Sequence, residues 1–379
     1  MKLSYVTTYD SSDIHAWSGC VVGILKTLQN SGFQTEQIDN LKERCIFMLK
    51  IKKAYYAKIL SKTYLCDRDP FLLKNYAAQV DSALEHLNGD VVFSPGTIPI
   101  AYLQTRKPIV FWTDASFAGM IDFYPDFSNL CAETIKNGNK MEQLALSKCR
   151  LAIYSSEWAA NTAIQNYDVD PAKVKVVPLG GNANENRNLH QINTIIKNKD
   201  FDTCRLLFVG VDWSRKGGDL AIKVAELLTK RGIKTELHIV GCKPPYKVPN
   251  YVKLYPFLSK NTEEGRNTMD KLMSGSHFFI LPSKAECYGS VFGEASSFGL
   301  PSLATKVGGI PSAIKDGKNG QTFSLDEGPE KYCDYIERLM SSKQDYNELA
   351  LSSFSEYTKR MSWASSGKKV YELIKEFCF

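Results

Sequence analysis

The stretch from Glu286 to Thr305, ECYGSVFGEASSFGLPSLAT, constrains the rest of the chain more than any other. It follows His277 to Leu281 (HFFIL), an apolar run too short for a helix and closed by Pro282, which reads as a buried parallel strand. Glu286 then falls in the loop leaving that strand, and Tyr288, Gly289 and Ser290 lead through the turn. Val291 to Phe298 has helical spacing, and Gly299 with Pro301 stops the helix before the next apolar run. The two carboxylates are therefore placed differently: Glu286 on a loop at the carboxyl edge of a strand, Glu294 in the first turns of a helix. The backbone N–H groups of Ser290 and Val291 open that helix, where an anion such as a diphosphate would be held.

The same alternation runs through the whole chain and predicts an α/β fold. Leu3 to Thr8 is a strand, Asp10 to Gly19 (DSSDIHAWSG) a loop, Val21 to Leu28 a helix and Phe33 to Ile38 a second strand. This opens a doubly wound domain, whose ligands bind outside the carboxyl ends of its strands. Further strands are expected at Val91 to Phe93, Ile109 to Trp112, Leu151 to Tyr154 and Val174 to Val177. Asp114 follows one of these at its carboxyl end and is either a ligand contact or a helix N-cap. A polar stretch from Asn182 to Asp202 has little periodicity and reads as a linker. The pattern then restarts with the strand Leu206 to Val209, the loop Gly210 to Gly218 (GVDWSRKGG) and the helix Leu220 to Leu228. A loop carrying Arg215 and Lys216 ahead of a helix N-terminus would attract phosphate, the alternative being two solvated surface charges. Strands at Leu237 to Val240 and Val252 to Tyr255 follow, and an apolar-periodic helix begins at Ser362-Trp363.

At 379 residues the chain exceeds the size at which single cores stop growing, so two domains are expected, and 44% hydrophobic with 23% charged residues is ordinary for a globular protein. Ten cysteines without a C-x-x-C pair, mostly inside apolar runs, point to reduced thiols rather than disulfides or zinc. No signal peptide precedes the first strand and no apolar run reaches the length needed to span a bilayer, so a cytoplasmic protein is expected. The net charge of +6 is concentrated: seven basic residues against one acid between Leu41 and Tyr64 give this segment +6 by itself. It is also rich in Ile, Phe, Met and Tyr. It is either a helix packing an apolar stripe on the first domain, or one lying on the anionic inner face of a membrane. No nucleic-acid-binding module accompanies the charge.

The order apolar strand, PS, Glu286, Tyr-Gly, helix, Glu294-Ala, Gly-x-Pro, with seven residues between the glutamates, resembles the signature of retaining glycosyltransferases of family four. The resemblance implies the GT-B fold: two Rossmann-like domains facing a central cleft. They would span residues 1–182 (acceptor side) and 183–362 (nucleotide-sugar donor side), with residues 363–379 a helix crossing back to the first domain. It further implies that Glu286 hydrogen-bonds the donor sugar, that Glu294 binds the ribose hydroxyls, and that Lys216 neutralises the donor diphosphate. The family arginine normally stands at the position of Val211, and Arg215 is the candidate to supply the guanidinium instead. WSG resembles the family's glycine loop, with Ser18 before a single Gly19 where most relatives have two glycines. Asp114 corresponds to the group beside the donor sugar. Gly210, Leu258, Tyr288, Gly289, Ser290 and Val291 are the remaining donor contacts expected. Val307-Gly308-Gly309-Ile310-Pro311 resembles the turn beside ribose and diphosphate.

Read this way, the chain is a transferase moving a sugar from a nucleotide-diphosphate sugar, its co-substrate, to a sugar or lipid-linked acceptor hydroxyl. It would need no cofactor: no Asp-x-Asp motif sits in a suitable place and the five histidines (15, 86, 190, 238, 277) show no ligand spacing. A nucleotide-sugar epimerase and a non-catalytic nucleotide-sugar binder remain alternatives.

Overall fold

Short apolar runs flanked by turn residues pair as strands only where helices can cover both faces of the sheet, and this chain builds two such sheets. The computed structural model describes residues 1–44, 46–182 and 187–379. Cys45, within the basic segment, and 183–186, where the second domain was expected to begin, lie outside the described residues. The chain divides into two units, Met1–Gly180 with Trp363–Phe379, and Gly181–Ser362.

The first unit holds β1 (Lys2–Val6), β2 (Gln34–Ile38), β3 (Val91–Ser94), β4 (Ile109–Thr113), β5 (Leu151–Tyr154) and β6 (Val174–Val176). They are all parallel, in the order β2-β1-β3-β4-β5-β6. The order reverses between β1 and β3, so the DSSDIHAWSG loop leaves the sheet at the switch point. The helix Trp363–Cys378 packs on the helix Cys20–Asn30 of this unit, burying Val370 and Ile374 completely. Its Trp363 ring stands edge-on to Trp112, 6.0 Å between centroids.

The second unit holds β7 (Cys204–Val209), β8 (Thr235–Val240), β9 (Val252–Tyr255), β10 (Phe278–Leu281), β11 (Ser302–Thr305) and β12 (Gly320–Phe323). These are again parallel, in the order β12-β11-β10-β7-β8-β9. Here β7 and β10 are neighbours at the switch point, with Leu206 opposite Phe278 and Leu207 opposite Phe279. The loops carrying Lys216 and Glu286 therefore leave adjacent strands on the ligand side of one sheet. Where the chain enters and leaves this unit, the Gly181 N–H donates to the Met361 carbonyl at 3.0 Å. A Cβ on Gly181 would lie 2.6 Å from the Glu294 amide nitrogen, so only glycine lets the entering strand pass so near the helix Ser290–Ser296.

Three expectations are corrected. The polar stretch read as a linker contains the helix Leu189–Lys197. Asn188 and Gln191 form a reciprocal capping box at its start, and Ile192 and Ile196, four apart, bury its inner face. Asp114 is not a helix N-cap, because Ser116 caps the helix Phe117–Met120 through the Gly119 amide. The basic helix Ile46–Ile59 does not pack an apolar stripe inward: of its residues only Leu49 is buried, while Phe47 and Met48 are 71% and 70% exposed. Its inner contacts are a small apolar patch, Leu49 and Ile46 against Leu72 and Tyr76, and a polar set, Lys52 pairing with Glu133 and Asp69 and the Tyr56 hydroxyl donating to Glu133 at 2.9 Å.

Candidate functional site

Gly217 fixes how the two switch-point loops of the second unit meet. Its φ is 78°, and a Cβ there would lie 2.0 Å from the Pro282 carbonyl oxygen, so the Gly210–Gly218 loop rests directly on the loop that follows β10. Further bonds stitch the two together: the Lys284 N–H donates to the Arg215 carbonyl at 2.7 Å, and Arg215 Nη1 donates to the Ala285 carbonyl at 3.1 Å. The Gly309 N–H, from the VGGIP turn, donates to the Glu286 carbonyl at 3.0 Å.

This stitching brings charged side chains into one cluster. The Lys216 ammonium forms an ion pair with the Glu286 carboxylate, and Arg215 Nη1 stands 3.9 Å from the same carboxylate. Arg215 is itself aimed by Asp212, which accepts from its Nε at 3.2 Å. Gly210 lies under the Lys216 stem, where a Cβ would come 3.1 Å from the lysine Cγ. Val211, at the family arginine's position, is 68% exposed and outside this cluster of charges. A guanidinium nevertheless reaches Glu286, from four residues further along.

Glu294, only 8% exposed, sits in the helix Ser290–Ser296 and is paired with Lys260 at 2.6 Å. Lys260 also donates to the Asn182 carbonyl at 3.1 Å. The sequence reading passed over Lys260; it lies two residues beyond Leu258 on the loop after β9, and its partner is 34 residues away, so no local pattern announces the pair. Gly289, at φ 83°, precedes the first turn that Ser290 and Val291 open, and Tyr288 is buried beneath it. Leu258 is half-buried. The second unit thus gathers Glu286, Lys216, Arg215, Gly210, Tyr288, Gly289, Ser290 and Val291 on two touching loops, with Glu294 and Lys260 joined through the helix.

Gly19 and Asp114 belong to the first unit and come together there. Gly19 (φ 85°) stands at the start of the helix Cys20–Asn30, and the two residues before it, Trp17 (φ 47°) and Ser18 (φ 54°), are also left-handed. Non-glycine residues in that region cost about 1–3 kcal/mol each and persist only where their surroundings hold them. The Trp17 indole Nε1 donates to Asp114 Oδ2 at 3.3 Å, tying this loop to the end of β4. Elsewhere in the first unit Glu142 is buried and accepts from Thr97 Oγ1 at 2.8 Å; burial pushes its carboxyl up to about 7. In the sequence Trp17 stands out only as part of the WSG loop, and no pattern singles out Glu142.

Cations braced by backbone contacts beside two carboxylates can hold a diphosphate and the hydroxyls of a sugar or ribose in one place. Residues 203–342 match the family model of glycosyl transferases group 1. The matched residues lie wholly within the second unit. That match takes in β7 to β12 and the whole charged cluster. The D-inositol 3-phosphate glycosyltransferase of Corynebacterium diphtheriae is 22% identical over 244 residues, which are 60% of this chain and 56% of that protein. The lipopolysaccharide glucosyltransferase WaaG of Escherichia coli is 30% identical over 165 residues, 43% of this chain and 40% of that one. The chain thus spans about half the length of these curated relatives. Among solved structures, Anabaena HepE in complex with UDP and glucose superposes with a TM-score of 0.65 at 15% identity, covering 99% of this chain and 100% of that one. The chain's two six-stranded parallel sheets with their helices match the GT-B fold of such structures.

Proposed function

We propose that the protein is a retaining, metal-independent glycosyltransferase that moves a sugar from a nucleotide-diphosphate sugar to a hydroxyl of a glycan, lipid or small molecule. The observation that carries this reading is the Lys216–Glu286 pair with Arg215 beside it, at the switch point of a group 1 domain. In the unliganded site the opposite charges satisfy one another. A donor entering between them gives its diphosphate to Lys216 and Arg215, and frees the Glu286 carboxylate for the sugar hydroxyls. As the glycosidic bond to the diphosphate breaks, negative charge grows on the leaving phosphate, and cations already fixed in position stabilise it without reorganising. Arg215 takes the part of the arginine missing at Val211, and Glu294 takes the ribose hydroxyls in exchange for Lys260. Asp114, which Trp17 steadies at the Gly19 loop, is the first unit's candidate group for meeting a sugar.

The test is a panel of nucleotide sugars, beginning with UDP-glucose because HepE was solved with UDP and glucose. Acceptor-dependent release of nucleoside diphosphate, undiminished by a chelator of divalent metals, is expected. An altered sugar nucleotide with no transfer would make the protein an epimerase, and thermal protection without turnover would make it a binder.

The lipid acceptor class is favoured by the helix Ile46–Ile59. Phe47, Ile51, Tyr55 and Ile59 repeat at four-residue spacing and are all exposed, with Lys50, Lys53 and Lys58 exposed among them. Burying such side chains is worth about 1.5–3 kcal/mol each, and each lysine near an anionic surface adds about 1 kcal/mol. Among the described residues no helix is long and apolar enough to cross a membrane. We therefore read this helix as a peripheral anchor on an anionic membrane face. Sedimentation with phosphatidylglycerol vesicles should show binding that Phe47→Ser with Ile51→Ser removes; equal sedimentation with neutral vesicles would end this assignment.

A further inference from the structure

At the amino ends of β4, β5 and β6, on the edge of the first sheet away from the DSSDIHAWSG loop, lies a cavity of about 850 Å³. Arg106, Lys107, Lys148, Arg150 and Lys173 line it, against the two acids Asp170 and Glu376, leaving three positive charges in excess. Among the described residues none of these five cations forms an ion pair. Four of them are held by backbone carbonyls: Lys107 by Leu87 at 2.9 Å, Lys148 by Leu103 at 2.7 Å, Lys173 by Leu146 at 2.6 Å, and Arg150 through its Nε by Phe377 at 2.8 Å. The exposed Arg106 has no hydrogen-bond or ion-pair partner among the described residues.

We propose that this cavity is a binding site for a small, multiply charged phosphate anion, separate from the donor site. Lysines that only neutralise the carboxyl end of the helix Ala132–Lys148 would explain Lys148 and Lys173, but neither arginine. An ammonium bonded to one or two carbonyls keeps a further N–H to give, and a guanidinium bonded through Nε keeps its outer nitrogens, which suit two phosphate oxygens at once. The carbonyl bonds hold these donors in place before any ligand arrives, which lowers the ordering cost of binding. Burial also lowers the Lys148 pKa, and an anion beside it would favour the charged ammonium. The volume is that of a small-molecule site, and a concave pocket fits a compact anion better than an extended polymer.

The probe is inorganic pyrophosphate, titrated calorimetrically into the full chain at physiological ionic strength. Lys216→Ala serves as the parent, so that the donor site does not contribute. The parent should bind pyrophosphate, and Arg106→Glu in that background should weaken binding by at least about tenfold, the scale of one charge-assisted contact, with the melting temperature unchanged. Arg106→Ala, which loses no contact in the protein, should weaken it less. No heat in the parent, or equal affinity in all three, overturns the proposal. Phosphatidylglycerol vesicles separate a soluble phosphate from a lipid headgroup. Equal vesicle binding with and without Arg106→Glu supports the soluble anion, whereas vesicle binding lost on that change, without any pyrophosphate heat, assigns the cations to lipid and overturns it.

Discussion

Replacing Glu286 by Ala should reduce sugar transfer at least about a hundredfold while nucleoside diphosphate binds as well as, or better than, it does to the parent protein. The carboxylate is paired with Lys216 and lies within 3.9 Å of Arg215, so in the free protein it occupies the cations a diphosphate needs. Removing it frees both for phosphate. The sugar, however, loses one or two charge-assisted hydrogen bonds worth about 1.5–3 kcal/mol each, and what matters for rate is the part of these that strengthens in the transition state. Turnover measured with saturating donor, beside the affinity for the diphosphate product, separates the two effects. A variant that bound the nucleotide tenfold more weakly and turned over normally would reverse the roles given to the pair.

Lys216→Ala should act in the opposite sense, weakening nucleoside diphosphate binding by at least tenfold. Part of this is the lost contact. The rest comes from Glu286, left in a mostly buried site without its lysine, where its charge repels the incoming phosphate. The double variant Lys216→Ala with Glu286→Gln should therefore bind the diphosphate more tightly than Lys216→Ala alone. Such a recovery is the signature of two residues sharing one site. Purely additive effects would place the lysine and the carboxylate in independent roles.

Much of this site could be read in the sequence because its parts are local. Pro282, Gly289, Gly299 and Pro301 punctuate a strand, a turn and a helix, and Gly217 with Gly218 closes the loop that presents Lys216. Turn residues act over a few positions, and so do the strand and helix periods. What the sequence left out depends on partners far along the chain. Lys260 meets Glu294 only because the folded sheet brings the loop after β9 to the helix that follows β10. The helix Leu189–Lys197 is hidden in an Asn- and Lys-rich stretch where two isoleucines carry its buried face. Amphipathic composition likewise does not say which way a helix turns. In Ile46–Ile59 Lys52 turns inward to Glu133 and Asp69 beside Leu49, while Phe47, Ile51, Tyr55 and Ile59 face out. The vacancy at Val211 was plain from the sequence, but the reach of Arg215 to Glu286 needed coordinates.

The hydrogen bond from Gly181 to Met361 has a practical meaning for engineering. It closes the two ends of Gly181–Ser362 against each other, so this unit, the donor-binding half in the proposed function, is a cassette inserted into its host at one spot. A graft from a relative with a different sugar preference would need two splices, at Gly180/Gly181 and Ser362/Trp363. The recipient's own Trp363–Cys378 helix, and the packing it completes, would stay intact.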